Sequence, residues 1–196
     1  MTKIILASKS ASRAALLAGA GVKFVAQDSA VDETIIKKQG LAAGLSPADI
    51  ALRLAEAKAL VCGGGPDWSI GGDQVLEFEG QLFDKPKTIK EAADRLEAMA
   101  GRPHHLRSGL VLAKEGAIDW RHQGTATLHM RDLSRQDIDA YLETVGPRVL
   151  STVGAYELEG PGVRLFDRIE GDYFTILGLS LLPLLDALRQ RGLLPW

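Results

Sequence analysis

Four groups of residues have types and spacings that suit phosphate chemistry. Ser8, Ser10 and Ser12 alternate in a polar stretch after the apolar run Ile4–Ala7, and Arg13 follows at the start of an Ala- and Leu-rich segment. Loop amides and a helix N-terminus attract an anion, and hydroxyls with a guanidinium strengthen the attraction. The same residues also read as a Ser-capped helix with a solvated arginine. No Gly-x-x-x-x-Gly-Lys-Ser/Thr loop accompanies them. Asp32 and Glu33 are adjacent acids in a predicted loop, either surface charge or oxygen ligands for a hard divalent cation. Asp73 follows Ser69-Ile70-Gly71-Gly72, which reads as a buried strand ending at the aspartate. Sites form at the carboxyl ends of strands in α/β sheets, and a carboxylate there can bind a metal or take a proton from water. A turn-forming aspartate is the alternative. Lys58, late on a predicted helix, and Lys85, fixed by Pro86, could neutralise phosphate charge or remain solvated.

Other chemistries lack their residues. His104 and His105 are adjacent, His122 and His129 stand alone, and Cys62 is the single cysteine. This excludes a zinc site by spacing and an intramolecular disulfide by count. No Gly-x-Ser-x-Gly elbow occurs. Lys and Arg number 23 against 25 Asp and Glu, a formal net charge of −2. Nucleic acid is therefore not an expected partner, since no basic excess exists to neutralise its backbone. The apolar run at the start is too short for a signal peptide, and no segment approaches the ~18 apolar residues of a membrane span. One cysteine and no leader predict a cytoplasmic protein that does not enter membranes.

The elements that must position these groups alternate. Strands are predicted at 3–7, 22–25, 68–72, 104–113, 124–130 and 163–169. A hairpin joins 75–78 to 81–83 through Glu79-Gly80. Helices are predicted over 13–20, from a Ser46-Pro47 start to about 61, over 88–100, over 134–144 and over 180–191. Asp137 completes a capping-box spacing with Ser134. Alternation with a late cluster of strands predicts an α/β class with a mixed sheet, built as one domain over 1–196.

The order of the motifs is more specific than any one of them. Leu6-Ala7-Ser8-Lys9-Ser10-Ala11-Ser12-Arg13 comes first, then Val31-Asp32-Glu33 and Ala55-Glu56-Ala57-Lys58-Ala59. Ile70-Gly71-Gly72-Asp73-Gln74-Val75, Lys85-Pro86, His105 to Gly109 and Gly178-Leu179 follow. This series resembles the Maf family of nucleotide pyrophosphatases over essentially the whole chain. The resemblance implies an elongated two-lobed α/β fold with flanking helices and a central cleft, related to the inosine-triphosphate pyrophosphatases. It implies hydrolysis of a nucleoside triphosphate substrate to monophosphate and pyrophosphate with a divalent metal, Mg²⁺ or Mn²⁺. By position, Ser8, Ser10 and Arg13 would cradle phosphates. Glu33 and Asp73 would handle metal and water, with Asp73 as proton acceptor, and Lys58 and Lys85 would neutralise charge. Where the family commonly has Ser-Pro-Arg-Arg, this chain has Ala11 and Ala14, one cation fewer. A homodimer is also implied by resemblance alone.

Gln74 after Asp73, and Glu159 before Gly160, look like the branch that prefers 7-methyl-GTP. A guanine edge offers two N–H donors that a carboxylate can accept, and methylation at N7 adds positive charge. That branch would also be expected to carry an aromatic near Ser12, to stack on the base. A dTTP/UTP pyrophosphatase and a nucleotide-sensing regulator of cell division are the alternatives within the resemblance.

Overall fold

The computed structural model of the chain describes residues 3–196. Among them, β1 (Ile4–Leu6), β2 (Val25–Ala26), β3 (Trp68–Phe78), β4 (Gln81–Phe83), β5 (Pro103–Lys114), β6 (Ala117–Met130) and β7 (Phe166–Glu170) form one sheet. Its order is β2-β1-β3-β5-β6-β7, with β4 beside β3. β1 runs parallel to β2 and β3, whereas β3–β4 and β6–β7 are antiparallel. The sheet is thus mixed, and the class is α/β. The chain divides into two compact units. One holds residues up to Gln74, Arg107–Thr125 and Asp172–Trp196; the other holds Val75–Leu106 and Ala126–Gly171.

In the first unit, α1 (Ala11–Gly19), α2 (Glu33–Ala42), α3 (Pro47–Cys62), the short α6 (Tyr173–Ile176) and α7 (Leu181–Gln190) accompany the strands. Leu6, Leu17, Ile70, Leu110, Leu112, Leu184 and Leu188 form its main core. Ser46 caps α3, accepting from the Asp49 amide at 3.2 Å, with Pro47 at the first helical position. The helix then lies unusually close to the sheet. A Cβ on Gly71 would overlap the Ala55 carbonyl and stand 2.7 Å from the Ala59 nitrogen, and one on Gly109 would stand 2.5 Å from the Ala51 carbonyl oxygen. Two glycines on the sheet therefore receive the Ala51-Ala55-Ala59 stripe of α3, whose four-residue spacing keeps it on one face.

The second unit contains α4 (Ile89–Met99) and α5 (Arg135–Val145), which pack together. Thr88 caps α4, and Ser134 with Asp137 forms the predicted capping box on α5. The predicted hairpin is present: Phe78 pairs with Gln81, and Glu79 and Gly80 both have positive φ, 50° and 76°. That is the type I′ geometry that matches strand twist.

Five expectations need correction. The strand predicted at 22–25 is present only as Val25–Ala26, with Val22 buried outside it. β3 does not end at Asp73 but continues to Phe78, so the aspartate is mid-strand. Gly71 accommodates a helix; it does not terminate the strand. Residues 33–42 are helical rather than a loop. Their apolar residues show little helical period, and Ile35 and Leu41 stay exposed, so the helix depends on its Asp32 cap and on packing against α3. Residues 161–165 form a 3₁₀ turn, and β7 starts at Phe166. There Pro161 lacks an amide, and Gly162 sits so close that a Cβ would be 2.5 Å from the Glu157 carbonyl oxygen. β6 begins at Ala117, seven residues earlier than its apolar part, because residues 117–125 are partly exposed and carry polar side chains.

Candidate active site

The β3 strand explains how the site is assembled. Successive side chains of a strand point to opposite faces. Gly71 faces α3, so Asp73, two residues on, faces α3 as well. There the Lys58 Nζ meets the Asp73 Oδ1 at 2.5 Å. Both are buried, Lys58 at 7% and Asp73 at 5% exposure. Helices α2 and α3 run antiparallel, close enough that a Cβ on Gly40 would be 2.8 Å from the Ile50 Cγ1. Stepping back along α2 as α3 advances brings Glu33 opposite Lys58, and the Lys58 Nζ lies 2.6 Å from the Glu33 Oε1. One ammonium thus holds two carboxylates.

Gly72 and Gln74 face the other way. The position of a Gly72 Cβ would be 3.6 Å from the Arg13 Cδ. Pairing between β1 and β3 stops at Leu6 opposite Ile70, so Gly71 to Gln74 lie beyond the end of β1. The strand end that makes the site is therefore that of β1. The chain leaves it through Ser8, whose Oγ accepts from the Ser10 amide and from the Arg13 Nη1, each at 3.2 Å. Ser10 caps α1, its Oγ accepting from the Arg13 amide at 3.4 Å. The Arg13 Nε donates to the Gly178 carbonyl at 2.7 Å, and the Gln74 Nε2 donates to the Thr175 carbonyl at 2.6 Å.

Electrostatics agree with this proximity. Desolvation pushes the Arg13 guanidinium below its ordinary value, opposed by the nearby charges of Asp73 and Glu33. Burial alone would raise the Glu33 carboxyl, but the hydrogen bond and charge of Lys58, with Lys37 and Arg13, outweigh it and hold the carboxyl low. Buried charges are costly unless paired, and such clusters concentrate at functional sites.

Of the sequence-predicted residues, Ser8, Ser10, Arg13, Glu33, Lys58, Asp73 and Gln74 come together in the first unit. Ser12 is half-buried on α1. Lys85 and Glu159 are exposed residues of the second unit. Asp32 does not join its neighbour: its Oδ1 accepts from the Thr34 and Ile35 amides at 3.0 and 3.2 Å, which is a helix cap. Sequence reasoning missed the Thr175 and Gly178 carbonyls. Backbone acceptors carry no residue signature; the signal available was Gly178 in the motif series, a glycine whose φ is 98° in the structure. Glu33 and Asp73 offer hard oxygen donors, the ligand type of Mg²⁺ and Mn²⁺. Among the described residues no group of three His, Cys, Asp or Glu could hold a metal.

The sequence matches the family model described as Maf-like protein over residues 3–191. The chain belongs to the Maf-like protein family. A relative 47% identical over 96% of this chain and 96% of its own is a 7-methyl-GTP pyrophosphatase of Rhizobium meliloti (strain 1021). Another, 48% identical over 99% of each chain, is a nucleoside triphosphate pyrophosphatase of Maricaulis maris (strain MCS10). A solved HAM1 protein from Coxiella burnetii covers 66% of this chain and 73% of its own at 19% identity and a TM-score of 0.41, too loose a likeness to inform the site. Among the described residues of this Maf-like chain, no helix is long and apolar enough to cross a membrane.

Proposed function

We propose that the chain is a nucleoside triphosphate pyrophosphatase that hydrolyses the α–β phosphoanhydride, with 7-methyl-GTP as its preferred substrate. The observation that carries the activity is the buried Lys58 ammonium shared between Asp73 and Glu33, beside the fixed guanidinium of Arg13. Phosphoryl transfer requires little covalent work from a protein; position and charge supply most of the rate. Ser8, Ser10 and Arg13 bind phosphate oxygens. A bound triphosphate competes for Lys58. Sharing that ammonium loosens its hold on Asp73, which then accepts the proton of the attacking water. The water oxygen ends on one phosphate, and the bridging oxygen leaves with the other. A divalent metal, Mg²⁺ or Mn²⁺, when bound by Glu33 and Asp73 supplies positive charge against the phosphates and polarises water. Two carboxylates suffice for such an ion, because magnesium usually completes its shell with phosphates and water.

The base preference is supported by the names of the relatives and by Gln74. The Thr175 carbonyl can only accept, so the NH₂ of Gln74 points to it and the Oε1 remains as an acceptor. An acceptor suits the N–H donors of a guanine edge.

Purified protein incubated with 7-methyl-GTP, GTP, dTTP, UTP and CTP, in Mg²⁺ and in Mn²⁺, tests both parts. Pyrophosphate is the expected first product, fastest from 7-methyl-GTP and lost in Asp73→Asn. Faster dTTP or UTP would sink the base preference alone. Orthophosphate as first product, or no product from any nucleotide, would overturn the activity.

A further inference from the structure

Two side chains of the site, Arg13 and Gln74, are fixed by one short segment. Residues 172–180 supply the Thr175 carbonyl to Gln74 and the Gly178 carbonyl to Arg13. What holds the segment is a chain of polar groups, half-buried at Asp172 and buried at Thr175 and Ser180. The Asp172 Oδ2 accepts from the Thr175 amide and from the Thr175 Oγ1, both at 2.8 Å. The Thr175 Oγ1 lies 2.8 Å from the Ser180 Oγ. A hydroxyl has one proton, and that of Thr175 goes to the carboxylate, so Ser180 must be the donor to Thr175. Thr175 is 3% exposed and Ser180 1%. Ser180 is also the residue before α7, where a serine hydroxyl would ordinarily cap the helix; here it makes no cap bond. β6 leaves room for the chain at Gly124, where a Cβ would overlap the Ser180 hydroxyl and stand 3.0 Å from the Thr175 Cγ2.

We infer that Thr175 is a positioning residue for base selection: with Asp172 and Ser180 it locks the carbonyl that orients Gln74, and through the same segment it steadies Arg13. The inference rests on the pyrophosphatase reading of the site. A diverted hydroxyl, an unused cap and a glycine cut-out all serve this one arrangement. Buried polar networks are sensitive in this way, since losing one member leaves the others unsatisfied.

Three variants test it. Thr175→Val keeps the shape and removes the hydroxyl, Thr175→Ser restores the hydroxyl, and Ser180→Ala removes only the outer donor. The first readout needs no nucleotide. In ¹⁵N-labelled protein the side-chain amide of Gln74, assigned by its loss in Gln74→Met, is expected to exchange slowly. It should exchange faster in Thr175→Val and Ser180→Ala and remain slow in Thr175→Ser. The second readout is the ratio of kcat/KM for 7-methyl-GTP to that for dTTP, which does not depend on how much protein is folded. It should fall about tenfold in Thr175→Val, the fold-change of one hydrogen bond of typical net strength, and recover in Thr175→Ser. An unchanged Gln74 amide in Thr175→Val overturns the inference, as does a uniform loss of rate with the ratio intact. Should Thr175→Val not fold, the same two outcomes are read from Ser180→Ala. A loosened amide in a protein that turns over no nucleotide leaves the positioning in place and removes the pyrophosphatase reading instead.

Discussion

Asp73, the proton acceptor of the proposed reaction, is a carboxylate held by the Lys58 ammonium. The pair is buried at 2.5 Å, and Glu33 shares the same ammonium at 2.6 Å. Asp73→Asn keeps the shape and removes the proton acceptor, so kcat should fall by roughly 10²- to 10⁴-fold, the usual weight of a general base. Circular dichroism should show the fold retained. Lys58→Met behaves differently. It leaves Asp73 buried without its cation and facing Glu33, and breaking a buried pair from one side costs about 3–5 kcal/mol. Urea unfolding should therefore separate the two variants: both inactive, but only Lys58→Met strongly destabilised.

Lys58 reaches Asp73 only because α3 nearly touches the sheet. A methyl group on Gly71 would collide with the Ala55 carbonyl and the Ala59 nitrogen, which are backbone atoms with nowhere to turn. Gly71→Ala should lower stability by about 1–3 kcal/mol or more, in the range of overpacked cores, and should depress kcat by displacing Lys58. Gly64→Ala is the control, since a Cβ there meets nothing within 4 Å; its melting temperature and activity should match those of the parent. The helix pair α2–α3 was half legible. The Ser46-Pro47 start announced α3, whereas α2 has few apolar residues to bury and becomes a helix by virtue of its cap and its neighbour.

For the molecule as a whole, acid is the condition that should undo the fold. His104 in the second unit is fully buried, its Nε2 2.7 Å from the Tyr156 hydroxyl, and its ring clusters with those of Tyr156 and Phe166, which also touch each other. Burial, with the charges of His105 and His129, lowers its pKa from 6.5 to about 4. Between these values the unfolded chain binds a proton that the folded chain refuses, so stability rises with pH across that window and is lost as pH falls through it. The loss is on the order of 3 kcal/mol. Glu33 adds in the same direction: a carboxyl held low stabilises the fold above its unfolded value and less as pH falls. Unfolding free energies measured from pH 7 to pH 4 should drop steeply in the parent protein. The drop should be shallower in His104→Gln, whose amide can still pair with Tyr156; an identical slope would exclude His104 as the cause.

By itself the sequence determined the alternation of strands and helices, the caps at Ser46, Thr88 and Ser134, and the ordered motifs that mark the family. These are local: a cap, a hairpin turn or an apolar period is written in adjacent residues. It also offered Arg13, Glu33, Lys58 and Asp73 as candidates by charge and position, and Gln74 through the resemblance to the family. Tertiary structure alone decided which of them meet. The alternation of β3 sends Asp73 to one face with Lys58 and sends Gln74 to the other with Thr175. The end of β1 opens the sheet beside them. Asp32 and Glu33, indistinguishable as neighbours, part into a helix cap and an ion-pair member because a helix begins between them. Such outcomes depend on contacts between residues far apart in the chain, and on backbone carbonyls that every residue has and no sequence can single out.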